Sequence, residues 1–258
     1  MGSGMEPFGS EAATRRSRRA GLGAALAAAA LAAALLLGGA SARAEVSPRC
    51  RVPDVYLSMA ADLKRTERLI DRATPVRVMV LGPEIGGAAM PERRRARLHQ
   101  ELARRLPATN FEFVDDSAPS GLVEDDFNAI RSAAARVEPD LVIWQVGGAD
   151  ALASTDAEEF GKRLADAAKW MKERNIDLIL VDPPFVPRVR HEQLYWRIVG
   201  KIREVTDRAR LNLFQRYAAM QFLDFERQKL KEEPTDANSR RVCMAELVAE
   251  AIAKAATR

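Results

Sequence analysis

The chain has 258 residues, of which 47% are hydrophobic and 29% charged, with 15 Gly and 13 Pro. This composition excludes wholesale disorder and low complexity, and the length suffices to close one hydrophobic core with no long polar linker dividing it. The formal charge of +4 points to an anionic partner until the charges are located: residues 1–44 hold five of the 40 Lys+Arg and two of the 36 Asp+Glu, so the remainder is nearly neutral and nucleic acid is disfavoured.

Arg15, Arg16, Arg18 and Arg19 precede an uncharged stretch from Ala20 to Ala40, and Ala42-Arg43-Ala44 follows. A basic lead, an apolar stretch and small residues in that order predict a secretory signal over residues 1–44, cleaved after Ala44, and a periplasmic or secreted product. The stretch could span a bilayer, but it is rich in Ala and ends in Gly38-Gly39-Ala40-Ser41, which favours cleavage. Membrane contact is expected only through this segment if it is retained. Arg18-Arg19 after Ser17 also fits a twin-arginine export signal. Residues 45–75 then form a lead-in and residues 76–258 the domain. Cys50 and Cys243 are the only cysteines; in an oxidising compartment they are expected to pair, the alternative being two buried thiols.

Five β-type runs follow in chain order: Val76 to Leu81, Asn110 to Val114, Leu141 to Val146, Asp177 to Val181 and Leu211 to Phe214. They alternate with helical patterns and are almost continuously apolar, as strands covered on both faces must be. The prediction is a three-layer α/β/α fold around a five-stranded parallel sheet. Leu98, Leu102 and Leu106 share one helical face, as do Phe160, Leu164, Ala168 and Met171, and Leu194, Ile198, Ile202 and Val205. These stripes are core positions. A last helix over about Arg240 to Ala256 is expected to pack near the first strand. Arg93-Arg94-Arg95 reads as a solvated face, and Trp144 and Trp170 as core.

In such a sheet, ligands gather beyond the carboxyl ends of the strands. That selects Gly82 to Gly87, Asp115 to Gly121, Gly147 to Asp150, Asp182 to Pro187, and Pro234 to Asn238 before the last helix. Gly82-Pro83-Glu84-Ile85-Gly86-Gly87 lacks the spacing of a dinucleotide loop and the Lys-Ser/Thr of a P-loop. The two histidines, His99 and His191, have no paired ligand at zinc spacing, so no metal and no cofactor is implied.

The segment Pro139 to Asp150, a strand ending in Gly147-Gly148-Ala149-Asp150, resembles the third block of the SGNH or GDSL hydrolase superfamily, whose secreted bacterial members have a flavodoxin-like fold. Val78 to Gly82, Leu178 to Pro187, Arg216 to Met220, and Asp236 followed by the Cys243 helix extend the resemblance from Cys50 onward. It implies ester hydrolysis by a serine, with Gly and Asn stabilising the oxyanion and an Asp-x-x-His pair before the last helix. This chain departs from that pattern. Glu84 stands at the serine position and Ala149 at the asparagine; Gly121 stands at the glycine; Asp236 is followed three residues later by Ser239, and no histidine follows His191.

The expectation is an exported, catalytically degenerate protein that binds a glycan, another envelope component or an envelope protein. Its cleft would be lined by Glu84, Gly148, Asp150 and Asp236. The alternative is an active carbohydrate or lipid esterase rebuilt on Ser117 or Ser120 with His191; a Glu84–Asp236 carboxylate pair handling water or a glycosidic bond is a further alternative.

Overall fold

The computed structural model describes residues 45–82, 92–114, 121–187, 192–232 and 237–257. The expected signal segment therefore lies outside the described residues. Among those residues, β1 (Val76–Leu81), β2 (Phe111–Val114), β3 (Leu141–Gln145), β4 (Asp177–Val181) and β5 (Asn212–Phe214) form one parallel sheet in the order β2-β1-β3-β4-β5. Val78 pairs with Leu141, Leu141 with Asp177, and Ile179 with Asn212. The five runs read from the sequence are the five strands, to within one residue at each end. The order is the flavodoxin-like one, and its reversal between β1 and β3 is the switch point at which ligands characteristically bind.

Period-two alternation sorts the strand side chains into two cores. Val78 and Val80, Leu141 and Ile143, and Ile179 and Val181 fill one; Met79 and Leu81, Val142 and Trp144, and Leu178 and Leu180 fill the other. Helices α1 (Lys64–Asp71), α2 (Glu92–Arg105), α3 (Val123–Ala134), α4 (Gly148–Leu152), α5 (Ala157–Glu173), α6 (Glu192–Ala209), α7 (Arg216–Leu230) and α8 (Ala237–Ala255) complete the layers. Leu98 and Leu102 of α2 share the first core with Leu247, Val248 and Ile252 of α8. Phe160, Leu164 and Met171 of α5 share the second with Ile198 and Ile202 of α6. Asp156 starts α5 by accepting the Glu158 and Glu159 amides at 3.0 Å each. The last helix starts at Ala237, three residues before the expected Arg240, and packs on α2 on the face that holds Val76, Val78 and Val80 of β1.

The lead-in is tied to α8 and to the amino ends of the strands. Cys50 and Cys243 form the expected disulfide, closing a separation of 193 residues. Glu246 accepts the Ser47 amide at 2.8 Å, and Lys254 pairs with Asp54 at 2.7 Å. Helix α1 has no side-chain cap of its own; Asp177, at the start of β4, accepts the Arg65 and Thr66 amides at 3.3 and 2.7 Å. Asp140, just before β3, accepts the Arg77 amide at 2.8 Å and pairs with Arg65 at 2.5 Å. Between α2 and α8, the buried Arg105 reaches Glu101 at 2.5 Å and Glu250 at 3.0 Å.

Two stability measurements follow from these ties. Cys50→Ser with Cys243→Ser is expected to cost roughly 2–5 kcal/mol, read as a lowered thermal midpoint, with reductant acting on the native protein in the same direction. Arg105→Ala removes the buried cation shared by Glu101 and Glu250, leaving them the more exposed Arg104 and Lys254, and is expected to cost about 1.5–3 kcal/mol in urea unfolding; a loss below about 1 kcal/mol would show that the ion pair is dispensable.

Candidate functional site at the carboxyl ends of the strands

The carboxyl ends of β1 and β3 meet through glycines that no other residue could replace without strain. Gly82 follows β1 at φ +111°, and a Cβ there would lie 2.5 Å from Cβ of Gln145, the last residue of β3. Gly147 follows β3 at φ +84°, where a Cβ would lie 2.7 Å from Ile198 and 2.9 Å from Ile202. These two turns bring the loop backbones close together and aim α4 away from the sheet.

Gly121, with φ +83°, lies beside Ala149: a Cβ on Gly121 would sit 3.2 Å from the Ala149 methyl. The structure thus juxtaposes the two residues that stand at the oxyanion positions of the resemblance, although 28 residues of sequence separate them. Neither is free to act as a donor in the expected way. Ala149 carries no polar side chain, and the Gly121 amide donates to the Asp126 carboxylate at 3.1 Å. Asp126 also accepts the indole N–H of Trp144 at 2.8 Å. Both side chains are buried, and burial pushes the Asp126 carboxyl up to about 6 despite the two donors.

Asp150, expected from the sequence to line the cleft, is buried. Its carboxylate accepts the Val123 amide at the start of α3, at 3.3 Å to each oxygen. Burial raises its carboxyl, with the Asp125 charge adding to the rise, and the Asp150 charge in turn adds to the rise at Asp126. Gly148, by contrast, faces open space, with no atom within 4 Å of where a Cβ would be. Glu84, Ser117, Ser120, His191 and Asp236 lie outside the described residues.

Asp182, directly after β4, is a site residue that the sequence reading did not single out. It is fully buried and accepts the Tyr217 amide at 2.8 Å, and burial holds its carboxyl up at about 7 against the opposing pull of Arg203. Beside it, the Tyr195 hydroxyl donates to the Pro184 carbonyl. Tyr217 packs edge-on against Phe185 at 5.4 Å and against the exposed Trp196 at 4.9 Å. The signals that could have found these acids were local: Val-Asp-Pro-Pro at a strand end, and a tryptophan on a buried strand whose N–H needs an acceptor. Among the described residues no group of three or more His, Cys, Asp or Glu side chains is placed to hold a metal ion.

Asp126 and Asp182 hold their protons to higher pH in the fold than the ordinary 3.8, so the stability each contributes is complete below that value. It is lost as pH rises through about 6 and about 7 respectively. Asp182→Asn keeps an acceptor for the Tyr217 amide and is expected to flatten the fall in unfolding free energy between about pH 5 and 7.5 in urea titrations. An unchanged slope would rule Asp182 out as its source.

Comparison with known proteins agrees with this architecture. No curated protein matches the sequence significantly. Among solved structures, an acetyl xylan esterase, AlAXEase, superposes with a TM-score of 0.54 at 16% identity, covering 69% of this chain and 98% of that one. A mutant of Axe2, an acetyl-xylooligosaccharide esterase from Geobacillus Stearmophilus, gives 0.54 at 14% identity over 69% and 94%. A lipolytic protein of the G-D-S-L family from Desulfitobacterium hafniense DCB-2 gives 0.50 at 14% identity over 68% and 99%. At these identities the likeness is one of fold, and it is the SGNH hydrolase fold. The model of the non-GDSL lipase-like family matches residues 49–258, from the turn before Cys50 through the last helix, and the chain belongs to that family.

Proposed function

We propose that this protein is an exported, catalytically degenerate member of its family that holds a hydroxyl-rich envelope glycan at the carboxyl ends of its strands. The observation that carries the reading is the corner formed by Gly121 and Ala149. Acyl transfer needs donors aimed at an oxyanion as it develops. Here the Gly121 amide is engaged by Asp126, and the neighbouring side chain is a methyl group. Two buried carboxyls, Asp126 and Asp150, occupy the same corner, so its potential opposes negative charge on a reacting oxygen. The sequence adds Glu84 at the nucleophile position and the lack of any histidine after His191. Loss of nucleophile, base and oxyanion donors together removes the mechanism rather than weakening it.

Export rests on residues 1–44, with their basic lead, apolar stretch and Ala42-Arg43-Ala44. The open space at Gly148 leaves its backbone accessible to a ligand, and the exposed Trp196 beside Tyr217 supplies an aromatic surface near the β4 loop. The solved acetyl xylan esterases of similar fold act on acetylated saccharides, which makes a glycan a reasonable occupant of a related cleft.

The test is hydrolysis of p-nitrophenyl acetate by the purified protein, beside a Ser117→Ala/Ser120→Ala double variant and His191→Ala. Turnover equal to the buffer blank is expected. Turnover that is real in the native protein and lost in these variants would overturn the reading in favour of an esterase rebuilt on a loop serine.

A further inference from the structure

At the amino ends of the strands, on the edge of the sheet opposite the site described above, lies a cleft of about 740 Å³. Buried Pro139 and Ile176, which just precede β3 and β4, line it together with residues of α1, α3 and α5. Its size falls within the range of small-molecule sites. The polar lining is dominated by Arg65, Arg131 and Arg174, with Asn128 and Ser132, against one acid, Glu138. That acid faces Arg77 at 3.5 Å.

Arg131 and Arg174 are held in place by aromatic rings. Arg174 lies over the Trp170 ring at 3.9 Å, and Arg131 over the Phe127 ring at 5.8 Å. The two rings meet edge to face at 5.8 Å, so the side chains form one continuous stack from α3 to α5. Trp170, expected from the sequence to be core, is only half-buried and serves as the platform of this stack. Within the described residues neither Arg131 nor Arg174 is ion-paired, and Arg174 spends one donor on the Trp170 carbonyl at 3.4 Å. A guanidinium stacked on a ring keeps its in-plane N–H donors available, and its fixed pose reduces the entropy lost when an oxyanion binds. Arg65 borders the cleft but is paired with the buried Asp140. Asn128 and Ser132 stand one turn apart on α3, where their amide and hydroxyl can meet hydroxyl groups.

We propose that this cleft binds an acidic saccharide, its carboxylate or phosphate held by Arg131 and Arg174 and its hydroxyls by Asn128 and Ser132. The chemistry is shared by uronates and sugar phosphates; a lone oxyanion would leave most of the cleft unfilled. The site is separate from the strand-end corner and does not rest on the function proposed for it.

Isothermal titration of the purified protein with trigalacturonate, glucose 6-phosphate, maltotriose and inorganic phosphate tests this. Saturable binding is expected for one or both acidic sugars, which identifies the carboxylate or the phosphate source, and none for neutral maltotriose. Raising the salt from about 50 to 300 mM should weaken it. Arg131→Gln and Arg174→Gln should each weaken it by about tenfold or more, with unchanged thermal midpoints. Lys169→Gln, which removes an exposed cation from α5 outside the cleft, should leave it intact. Absence of saturable binding by either acidic sugar, equal binding of maltotriose or of inorganic phosphate, or indifference to both arginine variants would overturn the proposal.

Discussion

Burial of both faces of the parallel sheet is the constraint on which the rest of this structure depends. The apolar side chains along the central strands are committed to one core or the other, from Val78 and Met79 to Ile179 and Leu180. Polar chemistry is therefore confined to the ends of the strands, where backbone amides leave the ladder and need acceptors. Carboxylates supply them at both ends. Asp140 and Asp177 serve the amino ends and fix α1, while Asp182, Asp126 and Asp150 serve the carboxyl ends and fix the starts of α7, the Gly121 turn and α3.

This division of labour has a chemical consequence. A buried carboxylate is an effective cap because its charge strengthens the hydrogen bond it accepts. The same charge makes its surroundings unfavourable for a second anion. At the Gly121 corner the scaffolding role of Asp126 and the demands of an oxyanion hole compete for one amide, and in this chain the scaffold holds it. At the amino ends of the strands the acids are paired with cations. Asp140 is matched by Arg65 and Arg77, and Arg131 and Arg174 remain as cations braced by aromatic rings.

Much of the architecture was legible in the sequence because its signals are local. The runs Leu141-Val142-Ile143-Trp144 and Leu178-Ile179-Leu180-Val181 announce strands covered on both sides, and the spacing of Phe160, Leu164, Ala168 and Met171 announces a helix facing them. Two cysteines near the ends of the predicted exported chain left one possible pairing, and that disulfide is present. The role of Asp150 was not legible locally, because its carboxylate reaches the start of α3, 27 residues earlier. Asp126 escaped notice because the Trp144 indole signals that an acceptor is needed without saying whether Asp125 or Asp126 supplies it.

The sequence by itself determined the fold class, the order of elements, the core stripes and the family resemblance, since period, turn chemistry and block order are properties of neighbouring residues. Only the tertiary structure decided which amides the buried acids would hold, that Gly121 and Ala149 would touch, and that Arg131 and Arg174 would stand on adjoining aromatic platforms. Those outcomes depend on how α3, α5 and the strand ends pack against one another, and packing between distant segments is set by the complementary shapes of whole faces.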